Sequence, residues 1–331
     1  MNDKIKKNIS NQIIVSLTSF PARIDTVHIT INSLLKQTFL PDKIILWLAP
    51  EQFPNKENDL PQELLALKSE KFCIDWYKDI KSFKKLIPAL KYYPNSIIVT
   101  ADDDIIYNEK WLEQLINSYN KDPKSIHCHR ITRLDIRNDV LTSQDRWGYT
   151  RKRGYLKDIY KPSAYNKLTG CAGVLYPPNC FNEDIFNETL FNKLTPTGDD
   201  IWFFFQALRN GYKVRVVKNT KLYILNEIPK CLEGPALCKI NDNNPNGFKK
   251  QLNDCYNYYK NDLEKFFMED FINNEKLKHK IMLINWIKML VSLIFSIKNK
   301  VLGNIKYKFL TIFGFLILLK IHKSSTDVEK K

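Results

Sequence analysis

The chain has 331 residues, 44% hydrophobic and 26% charged, with only 10 glycines. That balance describes a folded globular protein and excludes disordered, collagen-like and glycine-linker chains. Its 51 Lys and Arg against 36 Asp and Glu leave a formal net charge of +15, so anionic partners are expected, whether phosphorylated substrate, acidic lipid or nucleic acid.

Ile13–Leu17 is a short apolar run that ends in Thr18, Ser19, Phe20 and Pro21, and reads as a buried strand and its loop. Ile24, Val27, Ile31, Leu34 and Leu35 then recur at helical spacing. Lys43–Leu48 is a second strand, Pro61–Leu67 a short helix, Phe72–Trp76 a third strand and Lys84–Leu90 a helix. Ser96–Ala101 is a fourth strand, followed from about Asn108 by a helix with Trp111, Leu112, Leu115, Ile116 and Tyr119 on one face. Strand alternates with helix, which predicts an α/β fold: a mainly parallel, twisted, Rossmann-like sheet flanked by helices. Ligands of such sheets bind beyond the carboxyl ends of the strands.

Further on the alternation loosens. Ile126–Arg130 is expected as a strand, and the basic, aromatic stretch Ile136–Lys167 as loops or small antiparallel strands. Gly170–Tyr176 is expected as a strand, Asp200–Arg209 as a helix stopped by Gly211, and Lys213–Val217 as a strand. From Leu252 onward the pattern is helical.

Asp102, Asp103 and Asp104 follow the apolar strand directly. Three adjacent carboxylates repel one another unless a cation or a proton intervenes. Oxygen-only ligands suit Mg²⁺ or Mn²⁺, and such an ion bridges readily to a diphosphate. Asp102, Asp103 and Asp104 are therefore the candidate metal ligands. A second acidic pair, Asp199-Asp200, opens the late helix. One of the two is expected to cap the helix while the other removes a proton from an acceptor hydroxyl, with Asp200 the first choice as general base and Asp199 its rival.

The strand followed by Asp102-Asp103-Asp104 resembles the DXD motif of nucleotide-sugar glycosyltransferases with the A-type fold. Ile14-Val15-Ser16-Leu17-Thr18-Ser19-Phe20-Pro21-Ala22-Arg23 is similar to the first strand and nucleotide loop of glycosyltransferase family 2. Leu34-Leu35-Lys36-Gln37-Thr38 and Pro41-Asp42-Lys43-Ile44-Ile45-Leu46 are similar to the helix and strand that follow, and the resemblance runs from about Ile13 to Val217. It implies an inverting transfer from a nucleoside-diphosphate sugar, UDP-linked by preference, a hexosyltransferase-type activity assisted by Mn²⁺ or Mg²⁺. Carried over, Asp102 lies nearest the ribose, Asp103 and Asp104 hold metal and diphosphate, and Thr18, Phe20, Arg23 and Lys84 line the donor side. Many family members carry an acidic residue after the second strand, where this chain reads Trp47-Leu48-Ala49-Pro50; Asp79, after the third strand, is expected at the base instead. Gly170, Cys171, Ala172 and Gly173 resemble the acceptor-side segment, where small residues let a sugar approach the backbone.

His129 and Arg130, in His127-Cys128-His129-Arg130, are further expected acceptor contacts. Trp147 lies in a run of cations and aromatics suited to stacking on a sugar and binding phosphate. The chain thus divides into a catalytic domain over 1–250, with a nucleotide half at about 11–105 and an acceptor half at about 106–225, and a basic helical tail over 251–331. Between Lys276 and Lys323 the tail holds lysines and no acidic residue. With Trp286 and its apolar runs, it is expected to lie on an anionic membrane surface. Seven cysteines without a CxxC pair, and no apolar segment before Ile13, point to the cytoplasmic side. Expected partners are a nucleotide-sugar donor, a cell-surface glycan or lipid-linked acceptor and the membrane, with no nucleic acid. Two other classes compete: a non-enzymatic binder of anionic membrane or nucleic acid, and a metal-dependent nucleotidyltransferase. The glycosyltransferase reading requires the triplet and Asp199-Asp200 to meet at one cleft.

Overall fold

The computed structural model describes residues 11–137, 140–146, 160–218, 226–232, 241, 244, 247–273, 283, 287, 295–302, 305–312 and 315–323. Ten strands belong to the first part of the chain: β1 (Ile13–Thr18), β2 (Lys43–Leu48), β3 (Phe72–Trp76), β4 (Ile97–Thr100), β5 (Ser125–Cys128), β6 (Ile131–Arg137), β7 (Val140–Arg146), β8 (Asn166–Leu168), β9 (Val174–Tyr176) and β10 (Lys213–Val216). Helices α1 (Val27–Leu35), α2 (Gln62–Leu65), α3 (Ile87–Tyr92), α4 (Trp111–Tyr119), α5 (Glu188–Leu194), α6 (Asp199–Arg209), α7 (Pro229–Leu232) and α8 (Phe248–Tyr258) intervene or follow.

Seven strands form one sheet in the order β10-β5-β9-β4-β1-β2-β3. The pairs β1–β2, β2–β3, β1–β4 and β5–β10 are parallel. Strand residues alternate between two apolar layers. Ile14, Ile45, Trp47 and Ile98 enter one layer, and Ile13, Val15, Leu17, Ile44, Leu46, Leu48 and Val99 the other. Apolar residues on both faces explain why β1, β2 and β4 read as continuous hydrophobic runs. Removing such a side chain from water is worth roughly 1.5–3 kcal/mol. Thus the mainly parallel α/β architecture follows from the sequence as expected.

One strand departs from it. β9 runs antiparallel to both neighbours, pairing Val174 with Thr100 of β4 and with Cys128 of β5. The expected strand over Gly170–Tyr176 is in fact a tight turn, Gly170–Ala172, followed by three strand residues. The turn closes at Gly173, which has φ +92, a left-handed conformation that glycine adopts without penalty. A Cβ there would lie 2.4 Å from the Trp111 ring. The indole of Trp111 in turn donates to the Ala172 carbonyl at 2.7 Å. β6, β7 and β8 make a separate small antiparallel sheet, as the loosened pattern suggested.

The chain divides into two compact units, Met1–Met268 and Glu269–Lys331, later than the boundary expected near 250. α8 and helical positions 260–273 bear out the helical reading of the tail's first part. From Phe295 on, the described residues depart from it. Phe295–Leu302, Ile305–Ile312 and Phe315–Lys323 (β11, β12 and β13) are antiparallel strands of a three-stranded sheet. Alternation such as Ile305-Lys306-Tyr307-Lys308 favours strand over helix. Among the described residues, no helix is long and apolar enough to cross a membrane.

Gly173→Ala is expected to cost about 2–5 kcal/mol, through positive-φ strain and collision with Trp111. Urea unfolding of the purified variant measures it, and a change within error would show that the turn tolerates a side chain.

Candidate active site

The acidic triplet follows the last residues of β4, a buried strand between β1 and β9. Its three carboxylates are held differently. Asp103 is buried and both its oxygens are engaged: Ser19 Oγ donates to Oδ2 at 2.6 Å, and Arg23 Nη1 donates to Oδ1 at 2.8 Å. The same Nη1 lies 2.8 Å from Asp104 Oδ2. Asp102 Oδ1 accepts from Lys85 Nζ at 2.9 Å. Arg23 reaches this position because the loop after β1 forms a short turn, Pro21–Arg23, started by a proline. Asp102 and Asp104 keep partly exposed side chains, 25% and 22%.

Lys85 is the centre of the site. Its Nζ is 2.9 Å from Asp102 and 2.9 Å from Asp199 Oδ2. The triplet and the late acidic pair, 97 residues apart from Asp102 to Asp199 (199 minus 102), therefore share one ammonium group. Burial disfavours the Lys85 charge, but Asp102, Asp199 and Asp200 together hold its pKa well above the ordinary lysine value. At the first turn of α6, Asp200 Oδ2 accepts from the Gly170 N–H at 2.8 Å, while its Oδ1 is buried without a hydrogen-bond partner. A Cβ at Gly170 would come within 2.5 Å of that Oδ1 and 3.2 Å of Lys85 Nζ, so the acceptor-like turn lies directly against the acidic pair. Burial and the adjacent Asp199 charge push the Asp200 carboxyl up to about 6. Burial and the Asp102 charge push Asp104 up to about 7.

The two halves are tied again by Tyr107. Its hydroxyl receives the Asp102 N–H at 2.8 Å and donates to the Cys171 carbonyl at 3.3 Å. Arg130 Nη1 approaches Cys171 Sγ at 3.6 Å. Gly170, Cys171, Ala172 and Gly173 are thus brought beside Asp200 and Asp102, as the sequence led us to expect.

Other expected residues sit elsewhere or act differently. Thr18 donates to the Trp47 carbonyl at 2.8 Å, and Phe20 stacks under the Arg23 guanidinium at 5.6 Å. Asp79 pairs with Lys84 and accepts from Gln52 at 3.0 Å. Lys84 is 2% exposed and spends its charge on Asp79, so the donor-side lysine expected at 84 is a buried structural partner, and its neighbour Lys85 faces the carboxylates. His129 does not reach an acceptor: it is fully buried, with Nε2 3.1 Å from the Trp111 carbonyl, and burial pulls its pKa down to about 4. Trp147 lies outside the described residues.

Sequence reading missed Lys85, Ser19, Tyr107 and Lys167. Lys167 is buried on β8; burial lowers its pKa, with the charge of Asp200 opposing. The available signal was apolar context: Lys84-Lys85 interrupts Phe83, Leu86 and Ile87, all buried. A lysine inside such a run must find a carboxylate.

The donor set permits a divalent ion in one arrangement. Among the described residues, no three His, Cys, Asp or Glu side chains converge in a metal-holding geometry. Asp103 is buried and each of its oxygens already accepts a hydrogen bond, so the expected set of three carboxylate ligands is not assembled. Asp102 and Asp104 remain, two partly exposed carboxylates close enough to raise a pKa. Mg²⁺ sites commonly take only one or two protein carboxylates, with substrate phosphates and water completing the shell.

No protein-family model matches this chain, and no curated protein matches it. Solved structures that resemble it include 4-diphosphocytidyl-2C-methyl-D-erythritol synthase from Anaerococcus prevotii, with TM-score 0.41 and 14% identity over 65% of this chain and 90% of that one. Another 4-diphosphocytidyl-2C-methyl-D-erythritol synthase gives TM-score 0.40 and 9% identity over 67% and 95%. S. aureus TarS 1-349 gives TM-score 0.36 and 12% identity over 63% and 58%. The fold assignment rests on strand order and register within this chain.

Lys85→Met leaves Asp102 and the buried Asp199 without their shared cation. It is expected to destabilise the protein by roughly 3–5 kcal/mol, measured by chemical denaturation. A loss below about 1 kcal/mol would mean that the lysine is not the electrostatic link.

Proposed function

We propose that the protein is a nucleotide-sugar-dependent transferase, an inverting glycosyltransferase that moves a sugar onto a cell-surface glycan or lipid-linked acceptor. The observation that carries the reading is the Lys85 bridge between Asp102 and Asp199, which joins a diphosphate-type acidic motif to a candidate base in one site. The donor lies along the loops after β1, β3 and β4, with a UDP-sugar favoured. Asp102 and Asp104 are the residues to hold Mn²⁺ or Mg²⁺, and an ion bound there supplies positive charge toward a leaving diphosphate. Asp103 fixes Arg23 beside them. Asp200 removes the acceptor proton as the hydroxyl attacks the anomeric carbon from the face opposite the nucleotide. Its pKa of about 6 leaves it ionised at neutral pH, yet more basic than an ordinary carboxylate. The basic tail holds the enzyme to the cytoplasmic face of an anionic membrane.

A thermal-shift screen of UDP-, GDP- and CMP-linked sugars with and without Mn²⁺ tests the donor. UDP-sugar with Mn²⁺ is expected to raise the melting temperature most, and Asp102→Asn combined with Asp104→Asn to remove the Mn²⁺-dependent part. No response to any nucleotide would sink the proposal.

Asp200→Asn is expected to retain nucleotide binding and lose transfer by about a hundred- to ten-thousand-fold. In the wild type, kcat/KM is expected to fall below pH about 6 as the base takes up a proton. Stability should move the other way. A carboxyl with a raised folded pKa is destabilising when ionised, and that cost appears as pH rises from the ordinary carboxylate range through about 6. Asp200→Asn should therefore stabilise the protein by about 1–3 kcal/mol at neutral pH, with the gain vanishing in acid. Full activity in the variant would remove Asp200 from the chemistry.

Sedimentation with phosphatidylglycerol vesicles tests the membrane contact. Binding is expected at low salt and release at high salt, and equal binding to neutral phosphatidylcholine would overturn it.

A further inference from the structure

Arg23, Arg209 and Arg215 each pair with carboxylates, and Arg130 does not. Arg23 meets Asp103 and Asp104 at 2.8 Å, Arg209 meets Asp184 at 2.7 Å and Asp262 at 3.0 Å, and Arg215 meets Asp122 at 3.0 Å. Arg130 meets no carboxylate among the described residues; its one polar contact is Cys171 Sγ at 3.6 Å. A thiol is a poor acceptor for a guanidinium, which offers five donors in a planar fork matched to two oxygens of a carboxylate or phosphate. Arg130 is also only partly exposed, so water satisfies it incompletely.

Its position gives the vacant fork a use. Arg130 connects β5 to β6, and its carbonyl accepts from the Thr169 N–H at 3.1 Å, tying it to the turn that presents Gly170 to Asp200. Cys171, the residue it touches, also takes the Tyr107 hydroxyl on its carbonyl, and that hydroxyl holds the Asp102 backbone. Arg130 therefore stands beside the turn whose Gly170 N–H meets Asp200, whereas the triplet is already supplied with Arg23 and Lys85. Those two cations are committed to Asp103, Asp104, Asp102 and Asp199.

We propose that Arg130 selects the acceptor by its charge, binding an oxyanion (a carboxylate or a phosphate) carried close to the hydroxyl that is glycosylated. This rests on the glycosyltransferase reading above and narrows it: the substrate class is an acidic acceptor, such as a uronic-acid-bearing or phosphate-bearing glycan, rather than a neutral one. A neutral acceptor would leave the guanidinium unpaired in a partly dehydrated site, which disfavours it relative to an acidic acceptor of the same shape.

The full chain, saturated with UDP and Mn²⁺, is titrated with D-glucuronate, D-glucose 6-phosphate and neutral D-glucose, with binding read by ligand-observed NMR. The expected result is that at least one acidic sugar binds about tenfold or more tightly than glucose. Whichever of the two acidic probes binds tighter assigns the oxyanion. Arg130→Met should abolish the preference and Arg130→Lys should retain part of it, while UDP affinity and the melting temperature stay close to wild type in both. Equal binding of all three sugars, a preference that survives Arg130→Met, or a tenfold loss of UDP affinity in that variant would each overturn the proposal; the last would make Arg130 a donor residue. If UDP itself fails to bind, it is the glycosyltransferase reading that falls, and this inference with it.

Discussion

Lys85 carries a full charge in a place where water can do little for it, so the surrounding chain must supply its counter-ions, and the choice of counter-ions organises the molecule. One is Asp102, after β4 in the sheet's middle, and the other is Asp199, at the start of α6. Neither is close to the other in sequence. To bring both within 2.9 Å of the same nitrogen, the chain must fold its second half back across the end of β4. It does so by inserting β9 antiparallel between β4 and β5. The antiparallel β9 and the Lys85 bridge both hold the second half of the chain against the end of β4.

The same site is under-neutralised overall. Asp102, Asp103, Asp104, Asp199 and Asp200 face two contacting cations, Arg23 and Lys85, with Lys167 close by in a setting that weakens its own charge. Burial first, and neighbouring carboxylate charge second, raises the pKa of Asp104 and Asp200, and burial raises that of Asp103 against the pull of Arg23. Such a concentration opposes folding, and sites of this kind are retained where chemistry needs them. In the proposed transfer, one electrostatic imbalance would serve both ends, drawing a divalent ion to Asp102 and Asp104 and leaving Asp200 the stronger base.

Much of this was legible in the residues. β2 begins and ends where its apolar run does, since burial on both faces leaves an unbroken hydrophobic signature, and β3 at the sheet edge keeps its expected bounds although Asp75 is exposed. The triplet and the acidic pair stood out because aspartates beside such runs demand compensation. What the sequence hid depended on direction and partner choice. The orientation of β9 is fixed by the single positive-φ residue Gly173 and its fit against Trp111, which no periodicity encodes. Of two adjacent lysines, Lys84 turns to Asp79 and Lys85 to the site, a split imposed by a tight turn over Lys81–Lys85. His129 reads as an acceptor contact in sequence but is fully buried, with its ring against the start of α4. In the tail strands, short-range alternation outweighs the helical spacing of the apolar residues.

The two glycines of the acceptor-side turn show how closely stability and function are interleaved here. Gly173 is needed for conformation, because its φ and the nearby indole exclude a side chain. Gly170 has no such φ; a methyl group there would strike Asp200 Oδ1 and crowd Lys85. It is small because the backbone N–H must reach Asp200 Oδ2 while the other oxygen stays unpartnered. An oxygen held out of water without a donor is costly unless something binds it in the working state. In the proposed transfer, the acceptor hydroxyl would be that donor, bound by the carboxylate placed to remove its proton.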